Sequence, residues 1–173
     1  MSFDRVPPEG AGPWDTILDV DVRRPSKRVY LVPGQLYASA KAEHVTTILG
    51  SCVSVCLFDP EERLGGMNHF LLPKGHPPSP RFAEHAVPLL IEKLMGLGAR
   101  RSQLRAKVFG GACVLHAFQA SSLGADNVEA ARERLAAEDI RIVGQDVGGG
   151  LGRKVVFDVQ TGSAWIRAIA VNS

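Results

Sequence analysis

The sequence predicts an α+β fold: a β-sheet or sandwich core of short strands with two main helices packed outside. Three observations lead there. Short β-type runs recur between Gly, Pro and Asp residues. Helical spacing of apolar residues occurs in two stretches. The order of strands, helix, strand, helix, strands lacks the strict βαβ alternation of a doubly wound sheet. A chain of 173 residues that is 45% hydrophobic buries one substantial core. Its 18 glycines and 11 prolines point to tight connections between short elements rather than a bundle of long helices.

Residues 1–27 carry Pro7, Pro8, Gly10, Gly12, Pro13 and Pro25 with little apolar periodicity, and read as a partly ordered extension from which Trp14, Ile17, Leu18 and Val20 could dock on the core. Residues 28–173 read as one domain. Its first strands are expected at 28–32, 44–48, 52–58 and 67–72. From 82 to 97, Phe82, Ala86, Leu89, Leu90, Leu94 and Leu97 fall three and four apart and share one helical face. Pro88 removes a backbone donor there, so this helix should kink or begin late. A strand at 106–109 runs into Gly110-Gly111. The second helix is signalled by Asn127 as N-cap, followed by Val128, Ala131 and Leu135 with interleaved charges, and ends near Glu138. Strands at 141–147, 154–159 and 164–171 follow, joined by turns at Gly148-Gly149-Gly150 and Thr161-Gly162. The glycine-rich turn lacks the Lys-Ser/Thr of a phosphate loop and precedes no helical pattern.

Twenty basic and 18 acidic residues leave a formal charge of +2, too balanced for a phosphate backbone or an anionic membrane as partner. The run Arg23-Arg24-Pro25-Ser26-Lys27-Arg28 reads as a solvated linker. No stretch reaches the roughly 20 apolar residues that cross a bilayer, and the first residues lack a signal peptide's apolar core, so a cytoplasmic protein is expected. Three cysteines, Cys52, Cys56 and Cys113, form no CxxC pair and indicate neither a disulfide framework nor a zinc ribbon. No metal or cofactor is expected. Free thiols remain, and a free thiol can be a nucleophile.

In Thr46-Thr47-Ile48-Leu49-Gly50-Ser51-Cys52-Val53, a glycine and a small polar residue precede a cysteine that opens an apolar run. Such a cysteine sits at a turn. There Gly50 and Ser51 shape the backbone, and N–H groups at the start of the next element can converge on a developing oxyanion. A thiol with a pKa of about 8.5 needs a partner to take its proton. His69, in Gly65-Gly66-Met67-Asn68-His69-Phe70, should lie on the adjacent strand, because residues 59–63 are short enough for a hairpin. Cys56, four residues after Cys52, is either a second thiol on that face or core. His44, His76, His85 and His116 stand in no such motif. Ser51 lacks the Gly-x-Ser-x-Gly elbow of a serine nucleophile.

The segments LGSCVSVCLFDP and GGMNHFLLP closely resemble the hallmark stretches of the chemoreceptor glutamine deamidase family, CheD. Phe109-Gly110-Gly111-Ala112, Asp146-Val147-Gly148-Gly149 with Gly152-Arg153, and the FDVQTG ending at Gly162 resemble further family stretches, so the likeness spans about 28 to 168. The resemblance implies a CheD-like fold and the hydrolysis of selected glutamine side chains to glutamate on methyl-accepting chemotaxis receptors. It implies Cys52 as nucleophile, His69 as base and Thr46, with Thr47 its neighbour, as the residue that orients the imidazole. A thioester intermediate and no cofactor go with that chemistry. The family commonly carries alanine where this chain has Ser54 and Asn68, and another residue near Cys113. Family members also bind the chemotaxis phosphatase CheC. A non-catalytic role as its regulatory partner, or another Cys-His amidohydrolase activity, are the competing readings.

Overall fold

The computed structural model describes residues 27–113 and 122–170. Their elements are β1 (Lys27–Tyr30), β2 (Leu36–Ser39), β3 (Glu43–Leu49), β4 (Val53–Asp59), β5 (Leu64–Asn68), α1 (Ala83–Gly96), a 3-10 turn (Arg101–Gln103), β6 (Arg105–Gly110), α2 (Leu123–Ala137), β7 (Arg141–Val147), β8 (Gly152–Asp158) and β9 (Ala164–Ile169). They form a four-stranded sheet, β1-β3-β8-β9, and a five-stranded sheet, β2-β5-β4-β6-β7. The α+β class is as the sequence predicts.

The alternation of side chains along β4 explains the layering. All seven of its residues are buried, which a strand achieves only when both sheet faces are covered. Val53, Val55 and Leu57 point to one face, where they meet Leu90, Leu94 and Val87 of α1 and Val128, Ala131 and Leu135 of α2. Cys56 and Phe58 point to the other, where they meet Val45 and Leu49 of β3 and Val155 and Phe157 of β8. The five-stranded sheet is thus the middle of three layers, with helices on one side and the second sheet on the other. Each fully buried aliphatic or phenyl side chain in these two interfaces contributes about 1.5–3 kcal/mol. No helix among the described residues is long and apolar enough to cross a membrane.

Several boundaries differ from the sequence-based expectation, each for a physical reason. β5 covers Leu64–Asn68 rather than 67–72. The preceding turn closes early: the Asp59 carboxylate accepts the N–H groups of Glu61 and Glu62, and Arg63 N–H reaches Asp59 O at 2.9 Å. Gly65 and Gly66, poor strand formers, are present because the neighbours come too close for a side chain. A Cβ at Gly66 would lie 2.5 Å from Tyr37 O and 2.8 Å from Leu90 Cδ1. β2, unforeseen, is an edge strand with only Ser39 buried, so it carries no apolar alternation to read. α1 starts at Ala83 and contains Pro88, so it does not begin late. α2 starts at Leu123 after Ser122, and Asn127 is an interior, fully buried helix residue rather than its N-cap. Lys27 and Arg28 belong to β1 rather than to a linker, while residues 1–26, and with them the rest of the expected extension and of the basic run, lie outside the described residues.

α2 connects the parallel strands β6 and β7. Such a crossover returns the chain over the sheet and leaves the start of the helix beside the C-terminal end of the first strand. That end, Gly110, pairs with Val53 at the start of β4. The residues between β3 and β4 lie there.

Candidate active site

Gly50, Ser51 and Cys52 link β3 in one sheet to β4 in the other. Their three successive carbonyls are each claimed by a donor from outside the turn. Ala112 N–H bonds Gly50 O at 2.9 Å, Asn127 Nδ2 bonds Ser51 O at 3.0 Å, and Gly111 N–H bonds Cys52 O at 2.9 Å. Gly110 allows this approach: its φ is +108°, and a Cβ there would sit 2.2 Å from Cys52 O. A trans peptide holds each N–H opposite the preceding carbonyl. Fixing the Gly50 and Ser51 carbonyls toward β6 and α2 therefore aims the Ser51 and Cys52 N–H groups to the other side of the turn. The Cys52 N–H lies close enough to its own sulfur to favour the thiolate, but burial outweighs it and pushes the thiol pKa up.

His69 follows β5, and its position relative to Cys52 is set by strand register. The β4–β5 ladder stops at Cys56–Met67, where the Asn68 Oδ1 takes the Val55 N–H at 2.8 Å, and the same count of residues returns at an isolated Val53–Phe70 pair that exchanges N–H···O bonds of 3.1 and 3.0 Å. Extending it sets Ser54 opposite His69 and Cys52 opposite Leu71, all four on the face toward the other sheet. Cys52 and His69 are then diagonal neighbours, a relation that separates Cα atoms by roughly 7–8 Å and side chains by less. The His69 backbone is held at both groups, its N–H by Gln35 O at 2.9 Å and its C=O by Gly34 N–H at 2.8 Å.

The imidazole meets Thr47, not Thr46. Thr47 Oγ1 lies 2.7 Å from His69 Nδ1 and 2.8 Å from Leu31 O. Along β3, Val45, Thr47 and Leu49 are fully buried facing the inter-sheet core, and alternation turns Thr46 the other way. The expectation of Thr46 beside the histidine is thus corrected by one residue. The tautomer follows from counting protons. A hydroxyl has one, and Leu31 O can only accept, so Thr47 donates to Leu31 and accepts from His69. Nδ1 then carries the imidazole proton, and Nε2, buried and without a protein partner among the described residues, presents its lone pair. Burial lowers the His69 pKa from 6.5 to about 4. Thiol and imidazole are thus both neutral at rest, an arrangement suited to general-base activation of a thiol during reaction rather than to a standing ion pair.

Strand register puts Cys52, which follows Gly50 and Ser51, on the same face as His69 with no hydrogen bond between thiol and imidazole, and Thr46 is turned away. Cys56 lies wholly in the inter-sheet core, and burial pushes its thiol far up. Cys113 is exposed, with its N–H on Gly149 O at 2.9 Å. His44 pairs with Asp158 at 3.7 Å, His85 with Glu84 at 3.4 Å, and His76 is exposed. His116 lies outside the described residues. Among the described residues no group of three acidic, histidine or cysteine side chains could hold a metal ion.

Two contributors besides Thr47 escaped the sequence. Asn127 reaches Ser51 from α2, and Arg153 donates to Gly110 O at 2.6 Å, Asp146 O at 2.9 Å and Gly148 O at 2.5 Å, bracing the end of β6 on which the turn leans. An asparagine amid helix formers is a local inconsistency that could have marked the first. Arg153 stands beside Lys154 at the start of β8, and no local signal sets it apart.

Comparison with known proteins agrees with this reading at the level of family. The family profile described as CheD chemotactic sensory transduction matches residues 71–168. A protein of Anaeromyxobacter dehalogenans named probable chemoreceptor glutamine deamidase CheD 1 is 49% identical, over 82% of this chain and 85% of its own length. The probable chemoreceptor glutamine deamidase CheD of Vibrio cholerae is 42% identical over 84% of this chain and 67% of its own. One from Burkholderia thailandensis is 39% identical over 93% and 72%. A crystal structure of a Neisseria meningitidis protein is similar at a TM-score of 0.41 and 10% identity, over 79% of this chain and 67% of that one, a likeness too loose to bear on function. With a profile over more than half of its residues and relatives this similar along most of its length, the chain belongs to the CheD family.

Proposed function

We propose that this chain hydrolyses glutamine side chains of chemoreceptors to glutamate, with Cys52 as nucleophile and His69 as base. The names of its relatives support the substrate. The observation that carries the chemistry is the Leu31–Thr47–His69 chain of hydrogen bonds, which leaves Nε2 as the free acceptor on the face it shares with Cys52.

In this reading, Nε2 takes the Cys52 proton as the sulfur attacks the side-chain carbonyl carbon of the glutamine. The oxyanion of the tetrahedral intermediate is held by the Ser51 and Cys52 N–H groups. Collapse breaks the C–N bond, and His69 gives its proton to the leaving ammonia. A thioester remains on Cys52. Nε2 then deprotonates a water that attacks the thioester, the C–S bond breaks, and the sulfur recovers a proton while the receptor keeps a carboxylate. Thr47 accepts from Nδ1 throughout and fixes the ring. Being uncharged, it stabilises the imidazolium less than an aspartate would.

The test incubates the protein with a receptor cytoplasmic fragment and follows glutamine-to-glutamate conversion by peptide mass. Conversion by the wild type and its loss in Cys52→Ala and His69→Ala are expected. Unchanged conversion by Cys52→Ala would overturn the assignment of the nucleophile, and cleavage of the receptor backbone would make the chain a peptidase instead.

A further inference from the structure

Asn127 lies in the second turn of α2 with none of its surface exposed. A buried amide is costly unless its hydrogen bonds are recovered. Its Oδ1 is buried without a partner among the described residues, whereas both protons of its Nδ2 have one: Ser51 O at 3.0 Å and Leu71 O at 2.8 Å. The amide has one workable orientation, because turning it over would set Oδ1 against two carbonyl oxygens. Ser51 immediately precedes Cys52, and Leu71 lies two residues past His69. A single side chain thus ties the turn that bears the thiol to the segment that bears the imidazole, across 76 and 56 residues of sequence.

The bond to Ser51 has a second effect. Ser51 C=O and Cys52 N–H belong to one planar trans peptide. Whatever fixes the carbonyl fixes the direction of the N–H. We propose that Asn127 is a positioning residue for deamidation, which holds the Ser51–Cys52 peptide so that the Cys52 N–H faces the developing oxyanion and keeps that turn in register with the His69 segment. This rests on the deamidase reading above. It assigns α2 a part in the reaction beyond covering the sheet.

The test separates oxyanion support from general integrity. Asn127→Leu keeps a similar volume and removes both donors, and Asn127→Asp keeps the shape and sets oxygens against the two carbonyls. Each is assayed with the receptor fragment for kcat and KM, at a temperature well below its own melting point. The rate at which iodoacetamide alkylates Cys52 is measured alongside, since displacement at carbon by the sulfur develops no oxyanion. Loss of one oxyanion donor typically costs about 100–1,000-fold in kcat, so a displaced one should cost about tenfold or more. KM and the Cys52 alkylation rate should stay near wild type. Wild-type kcat in a folded variant overturns the proposal, as does a fall in alkylation equal to the fall in kcat, which would mean a disordered site. Should Asn127→Leu not fold, Asn127→Asp carries the same comparison. Failure of this inference alone leaves wild-type conversion and its dependence on Cys52 intact, whereas absence of conversion by the wild type defeats the deamidase reading and this inference together.

Discussion

At the scale of single residues, the site depends on which threonine meets the histidine. Two adjacent threonines on a strand face opposite sides, and only the three-dimensional arrangement says which is inward. Thr47→Ala should lower kcat by about tenfold or more, because the ring loses the acceptor that sets its tautomer. It should also destabilise the fold by about 1–3 kcal/mol through an unpaired buried N–H and carbonyl. Thr46→Ala should change neither; equal loss in the two would contradict the geometry. The histidine makes a second expectation. Its pKa is lowered by burial from 6.5 to about 4, so the neutral base persists as pH falls and is lost only near the lower value. The acid limb of kcat/KM should lie near pH 4 rather than 6.5. For stability the sign is opposite to that of a paired histidine. Below pH 6.5 the unfolded chain takes up a proton that the folded chain resists, so stability declines from 6.5 down to about 4, by about 3 kcal/mol in all. A pH series of denaturant unfolding on wild type and His69→Asn would show this decline shrinking in the variant.

At the scale of elements, the Gly110-Gly111 end of β6 and the start of α2 shape the Cys52 turn as much as β3 and β4 do. Gly110→Ala places a methyl 2.2 Å from Cys52 O and should reduce activity about tenfold or more, since the carbonyl must move and the peptide planes of the turn move with it. Gly98 is a fair control. Its φ of +109° is nearly the same, but nothing lies within 4 Å of its would-be Cβ. Gly98→Ala should cost about 1–2 kcal/mol of backbone strain and leave the activity of the folded protein alone. Melting curves and kcat measured for both would distinguish strain from displacement. These elements also show what was legible in advance. β7 lies at 141–147 as expected because its ends are marked by turn residues, and α1 stands out through its apolar face. β2 has no such face, β5 hides behind two glycines, and Asn127 imitates a cap signal while serving a contact that begins 76 positions earlier. Local pattern announces elements that bury a stripe. It is silent about residues chosen for a long-range bond.

At the scale of the whole molecule, the side chains proposed to react lie in one interface, with Asn127 alone reaching the site from the helix layer, and the apolar packing of the helices lies in the other. Cys52, His69 and Thr47 belong to the interface between the two sheets, while Leu90 belongs to the interface between the middle sheet and the helices. Leu90→Ala should cost about 2–5 kcal/mol yet leave kcat of the folded fraction near wild type, as unfolding curves and rates at low temperature would show. A loss of kcat comparable to that of Thr47→Ala would mean that the layers are not independent. The α+β class could be read from alternation and turns, and the segments that resemble CheD point to Cys52 and His69 as the candidate pair. Their mutual placement could not be read, because it follows from a strand register that resumes past the end of β5. In the proposed reaction Cys52 carries the glutamyl group as a thioester. Hydroxylamine tests it directly, since its nitrogen attacks a thioester in place of water. With the receptor fragment, wild-type protein and hydroxylamine, peptide mass should reveal the hydroxamate at the converted glutamine positions, absent in Cys52→Ala. Glutamate alone, formed at an undiminished rate and by Cys52→Ala as well, would rule out a thioester on Cys52.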